Sequence, residues 1–268
     1  MLWLLPAAIA LLAGCGGGSP ADETTADSGS SDEIHRQLER NRRGLPSDVT
    51  TDRPLPKQTI EQMIRRYRSA GFFGGGPPSE VAARIRRSYK RLYGKNPSAP
   101  RTRQDELELI AADRRQAWFE DIERDVIEGN NAYVAAFREW ARASRGTFKP
   151  RRIREEWKSA DGPVQITFNI GGRQHKAHAR SLGDFLDLCV LTRDVNRAVR
   201  GSPRRFELYR PDAALAQVAF VAALTAPEKK RLSQLGWRFA TPPEVGLAFG
   251  YGQLYEKGAP SGCDGRRP

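Results

Sequence analysis

The chain has 268 residues and a formal charge of +12, from 44 Lys and Arg against 32 Asp and Glu. Apolar residues make up 39% and charged residues 28%, which excludes a multi-span membrane protein and a wholly disordered chain. Its 18 Pro and 25 Gly exceed what one compact helical bundle uses, so part of the length is expected to be linker.

Met1 to Ala13 carries no charge and is almost wholly apolar. A spanning helix needs about 20 apolar residues. The run is too short for that and has the length of a signal-peptide core, without the positive residues that usually precede one. It leads into Leu12-Ala13-Gly14-Cys15, which resembles the cleavage box of bacterial lipoproteins. The resemblance covers the N-terminus only. It implies a signal peptide over residues 1–14, cleavage before Cys15, and a diacylglycerol thioether on that cysteine. Two or three acyl chains anchor firmly where one does not, so it also implies a lipid-anchored place in the cell envelope, outside the cytoplasm. Residue 16 is Gly, where that family's inner-membrane retention signal is Asp, which leaves outer-membrane or outer-surface placement open. Gly16 to Ser31 has the composition of a flexible tether. With a short basic helix over Ile34–Arg43 and turns through Pro46, Pro54 and Pro56, residues 15–56 form the linker.

Residues 57–158 read as a helical region. Ile60, Met63, Ile64 and Tyr67 make one stripe of a 3.6-residue period. Gly71 to Pro78 breaks it, and Ser79 is the expected N-cap of a second helix with Val81, Ile85, Tyr89, Leu92 and Tyr93 inward. Thr102 with Asp105 resembles a capping box. The helix it opens is expected to carry Leu107, Ile110, Ala111, Trp118, Ile122 and Val126, up to Gly129. Tyr133, Phe137, Trp140 and Ala141 mark a further helix capped by Gly146.

The period changes in the second half. Val164 to Ile170 alternates as a half-buried strand does, Gly171-Gly172 is a hairpin turn, and Arg173 to Arg180 returns as its partner. Leu182 to Val199 reads as a helix, Arg204 to Arg210 and Val218 to Leu224 as strands, and Pro227 to Gly236 as a short helix. The order ββαββα over residues 159–241, with a mainly antiparallel sheet, makes the chain α+β. A loop-like extension over 242–268 follows, with Phe249, Tyr251 and Tyr255 able to pack back on the sheet.

No constellation rises to a named enzyme. His175 and His178, three apart on a strand, face opposite ways and make no metal pair. Gly74-Gly75-Gly76-Pro77-Pro78 lacks the Lys-Ser/Thr of a phosphate loop. There is no CxxC, no Gly-x-Ser-x-Gly and no Ser-x-x-Lys, and no cofactor is implied. The acidic cluster Glu120, Asp121, Glu123, Asp125 and Glu128 puts Glu120 near Glu123, and Asp121 near Asp125, on a helix surface. Such a pair opens glycan cleavage as a reading, provided two carboxylates converge in a cleft. Cys189 sits in an apolar run and reads as a small buried hydrophobe; a disulfide to Cys263 is permitted outside the cytoplasm.

From His35 onward, 44 positive residues face 27 negative ones. The runs containing Arg84, Arg86, Arg87, Lys90 and Arg91, and Arg151, Arg152 and Arg154, are candidate anion-binding residues, with Tyr89, Tyr93, Phe148 and Trp157 interleaved. Export argues against nucleic acid as the partner and for an anionic envelope polymer, a lipid surface or an acidic protein. The same runs also fit a surface that is basic without a dedicated ligand. The sequence thus reads as an exported lipoprotein with a non-catalytic binding or envelope-structural role. The alternatives are a glycan- or peptidoglycan-modifying hydrolase and a partner-binding effector or immunity-like protein. An apolar patch around the hairpin would favour a protein partner, and an Arg-rich one an anion.

Overall fold

The structure, a computed structural model, describes residues 55–160, 162–180, 182–210, 218–242, 244–245 and 263. Cys15, the tether, the basic helix expected over 34–43, and Phe249, Tyr251 and Tyr255 lie outside the described residues.

The fold is α+β, with an N-terminal helical stretch followed by a mixed region built on two small antiparallel sheets. Helix α1 (Ile60–Arg68) opens on a capping box in which Thr59 and Gln62 satisfy each other's backbone N–H groups, and its predicted stripe is buried. Helix α2 (Pro78–Tyr93) starts one residue before the expected cap, with Pro78 in the first turn where a missing N–H costs nothing. Helix α3 (Arg103–Ala111) has the Thr102/Asp105 box.

Helix α3 ends at Ala111 rather than running to Gly129. Asp113 holds a turn through the backbone N–H of Arg115 and Gln116, and Trp118–Asp121 emerges as strand β1. The aromatic pair Trp118-Phe119 suits a pleated surface better than a helix, and it pairs with a strand from far down the chain, which no local pattern announces. Helix α4 (Ala132–Ala143) buries Tyr133, Phe137 and Trp140 as expected. Beyond it, Arg151–Trp157 is strand β2, a second departure from the all-helical reading of this region.

Strand β3 (Val164–Ile170), the Gly171-Gly172 turn with both φ positive, and strand β4 (Arg173–Ala179) form the predicted hairpin. The helix expected over Leu182–Val199 is only half there: residues 182–188 are irregular, and a π-helical stretch, Val190–Val195, runs into a single α turn, Asn196–Ala198. Asp187 explains the break. Its buried carboxylate accepts from the backbone N–H of Arg180 and Cys189 and from the Arg180 guanidinium, spending locally the bonds a helix would make in series. Strands β5 (Arg204–Leu208) and β6 (Val218–Thr225) follow, then helix α5 (Ala226–Gln234) on a third capping box, Thr225/Glu228.

The ββαββα order does not make one sheet. The strand orders are β2-β3-β4 and β1-β6-β5, so each sheet takes its first strand from the segment read as helical. The β1-β6-β5 sheet is buried on both faces, which is why β6 is a continuous apolar run. Its Trp118, Val221, Ala223, Phe206 and Leu208 face a core shared with α4 and the β2-β3-β4 sheet. Phe220, Ala222 and Leu224 face a second core built by α1, α2, α3 and Trp237. Cys189 and Cys263 are joined by a disulfide that closes a sequence separation of 74 and is buried in the first core. Of the readings left open for these cysteines, the bonded pair is the one the fold adopts.

Candidate functional site

The sheet β2-β3-β4 buries one face and opens the other. Residues opposite one another in an antiparallel pair point to the same side. The register therefore defines three rows on the open face: Arg151–Asn169–Gln174, Arg154–Thr167–Lys176 and Glu156–Gln165–His178. Arg151 and Arg154 are separated by three, an odd number that puts residues of a regular strand on opposite faces. Between them the register shifts by one residue, and Arg152 takes a φ of 53°. This β-bulge absorbs the extra residue and returns Arg151 to the side of Arg154. Arg151, Arg154 and Lys176 are exposed, and none forms an ion pair with another described residue.

The other predicted cations lie on α2. Arg86, Arg87, Lys90 and Arg91 are exposed there, Arg84 is half-buried, and Arg86 is taken by Glu61 at 2.8 Å. Helix α2 packs on α1 and α3, whereas β2 packs on β3 and α4. The predicted anion-binding residues thus divide into a helical group and a sheet group. His175 lies inward, stacked on Phe168, and His178 outward, as the strand period requires. Among the described residues no group of three or more His, Cys, Asp or Glu could hold a metal ion, and no helix is long and apolar enough to cross a membrane.

A second feature was only partly legible in the sequence. At the free edge of β1, a cleft of about 310 Å³ is lined by the C-terminal end of α2, by α3, by β1 and by α4. Leu92 and Tyr93, expected inward, are instead 37% and 40% exposed and border it. Four carboxylates reach it: Glu108 from α3, Glu120 and Asp121 from β1, and Glu139 from α4. Tyr89 and Gln104 donate to Glu108 at 2.7 and 3.1 Å, and the Trp118 indole donates to Glu139 at 2.7 Å. Arg124 Nη2 stands 3.2 Å from Glu139 and 4.0 Å from Glu120, so one guanidinium nitrogen bridges the two. Arg114 reaches Glu120 at 3.2 Å.

The predicted carboxylate pairs Glu120/Glu123 and Asp121/Asp125 are not neighbours on a helix, because this segment is a strand followed by a loop. The convergent partner of Glu120 is Glu139, which the sequence reading did not single out. Burial raises the Glu120 carboxyl above its ordinary value; Arg114 and Arg124 pull it down, and the charge of Glu139 pushes it further up. Burial, with the charges of Glu108 and Glu120, pushes the Tyr93 hydroxyl up to about 12, so it stays a hydrogen-bond donor at any physiological pH.

No protein-family model, curated protein or solved structure matches the chain.

Proposed function

We propose that this chain is an exported, lipid-anchored envelope protein with a binding role, and that the open face of the β2-β3-β4 sheet engages a linear, phosphate-bearing envelope polymer. The observation that carries the reading is the array of Arg151, Arg154 and Lys176, aligned by a bulge and unpaired within the described fold. Arg154 and Lys176 flank Thr167 across two strand spacings, roughly 10 Å between backbones. At that distance salt screens most of their mutual repulsion, and no acidic group of the described fold pairs with either, which leaves both charges available to a ligand. Cations spread over two neighbouring rows of a sheet face suit a repeating polyanion better than a single phosphate, which is commonly held in a concave nest. The hairpin's exposed side chains are those of Arg173, Gln174, Lys176 and His178, beside the turn glycines Gly171 and Gly172. Among the described residues the exposed large apolar ones, Leu92, Tyr93 and Ile127, are not on it, which favours an anion over a protein partner.

The disulfide supports the export reading, since such bonds persist in oxidising compartments. It uses two of the three cysteines and leaves Cys15, within the lipoprotein-like box, as the odd one.

Membrane fractionation and intact mass of the wild-type protein beside Cys15→Ser test the anchor: acylation and membrane retention are expected only for the wild type. Binding of the full chain to linear polyphosphate tests the surface. Affinity should fall steeply with salt, and the triple variant R151E/R154E/K176E should lose tenfold or more, while R87E/K90E/R91E on α2 loses little. Binding unaffected by the sheet substitutions, or found for phosphatidylglycerol vesicles but not for the polymer, would overturn the proposal.

A further inference from the structure

The cleft beside β1 combines features that the anion-binding sheet does not use. We infer that it is a binding site for a short saccharide, with Tyr93 as the stacking surface and Glu108, Glu120 and Arg114 as the hydrogen-bonding groups. The inference stands independently of the polymer-binding reading, which concerns a different sheet.

Three observations carry it. The first is shape: the cleft is concave, and its volume of about 310 Å³ lies at the lower end of the range for small-molecule sites, roughly 300–1,000 Å³. A ligand of one or two rings is therefore the scale to expect. The second is the apolar rim. Of the three exposed large apolar residues in the described fold, two, Leu92 and Tyr93, lie at this cleft. They continue the α2 stripe beyond its last buried residue, Tyr89, so the core covers them only in part. Tyr89 contacts Tyr93, ring centroids 4.5 Å apart with the planes tilted by 48°, and so restricts the Tyr93 ring. An aromatic ring restricted in this way offers a flat, partly apolar face with a polar tip.

The third is the polar chemistry. The wall carries acceptors and donors together: Glu108, Glu120, Asp121 and Glu139 beside Arg114, Arg142, Gln104 and the neutral Tyr93 hydroxyl. The four carboxylates outnumber the two arginines of the wall, which disfavours an anionic ligand, and Arg114 and Arg124 already compensate Glu120 and Glu139, which weakens the pull on a cationic one. A polyhydroxylated ring both donates and accepts, and its C–H face stacks on an aromatic one, so it satisfies every group named. The carboxylates are also set before any ligand arrives. Tyr89 and Gln104 hold Glu108, and Trp118 and Arg124 hold Glu139, which lowers the ordering cost of binding.

The test is calorimetric or fluorescence titration of the full chain with a β-1,4-linked N-acetylglucosamine dimer and with cellobiose, the two arms separating an amino-sugar glycan from a neutral glucan. Saturable binding of either is expected, falling at least tenfold in Tyr93→Ala and in Glu108→Gln. Ile127→Ala, an exposed apolar residue that does not line the cleft, should bind as the wild type does. Tyr93 is exposed, so its replacement should leave the thermal transition in place and separate loss of binding from loss of fold. Absence of saturable binding to both sugars, equal binding by Tyr93→Ala, or binding of spermidine in their place would overturn the inference.

Discussion

Arg151 and Arg154 project from the same face of their sheet although three residues separate them, and the cause is the left-handed backbone of Arg152. A non-glycine residue with a φ of 53° is held there against a cost of about 1–2 kcal/mol. Arg152→Gly should therefore stabilise the fold by about 1 kcal/mol. Arg152→Val, β-branched and worse suited to that backbone, should destabilise it by at least as much. Urea unfolding of the two variants checks both signs. If the bulge exists to align the cations, polyphosphate affinity should survive in Arg152→Gly except for the loss of one charge.

Much of the helical and hairpin architecture could be read locally. The stripe Ile60–Met63–Ile64–Tyr67, the Thr102/Asp105 box and the Gly171-Gly172 turn each declare themselves within a few residues, because caps, periods and tight turns are short-range physics. Strand β1 did not. Trp118, Ile122 and Val126 recur at helical spacing by coincidence, and what makes Trp118–Asp121 a strand is its pairing with Val218–Val221. The cleft was hidden for the same reason. Glu108, Glu120 and Glu139 come from three elements, and only the tertiary fold brings them together. One signal was available: Leu92 and Tyr93 extend the α2 stripe beyond the turns that a partner element covers.

Glu120 gives a sign-specific test of the cleft. Its folded-state carboxyl is raised by burial and by Glu139, more than Arg114 and Arg124 lower it. An acid raised on folding opposes the fold once ionised. That penalty is absent below the ordinary unfolded value of about 4.3, grows as pH climbs through the raised folded value, and is complete above it. Glu120→Gln should raise the Tm at neutral pH and leave it unchanged near pH 3. The gain should be small, a degree or two, because the side chain is 34% exposed and water screens much of the effect. A Tm that falls at neutral pH would show that the Arg114 contact outweighs burial.

The disulfide should dominate the response to reductant. Closing a loop of 74 residues removes chain entropy from the unfolded state worth about 4 kcal/mol in the loop-closure picture. The bond also tethers Cys263, whose carbonyl accepts from Arg193 at 2.6 Å; Arg193 is itself paired with Asp194. Reduction, or the double variant C189A/C263A, should lower the denaturation midpoint by an amount equivalent to about 2–5 kcal/mol. Calorimetry with and without dithiothreitol measures it.

The strongest single-residue dependence should fall on Glu106, which is 0% exposed and carries the polar centre of the helical layer. Its carboxylate accepts from Tyr67 at 2.6 Å, Arg103 at 2.6 Å and Gln58 at 2.8 Å, and it is paired with Arg66 as well. Tyr67 in turn accepts from the Trp237 indole at 3.0 Å, and Arg103 also donates to the Leu235 carbonyl at 2.8 Å. One carboxylate thus ties α1, α3 and the segment after α5 together. Removing it leaves Arg103 partly buried without its counter-charge, so Glu106→Ala should cost about 3–5 kcal/mol. Tyr67→Phe removes one hydroxyl and should cost about 1–2 kcal/mol. Because the two share partners, the double variant should be less destabilised than the sum of the singles, by 1 kcal/mol or more. Additive losses in that cycle would mean that Glu106 and Tyr67 act separately, and that the hydroxyl does not help to hold the buried carboxylate.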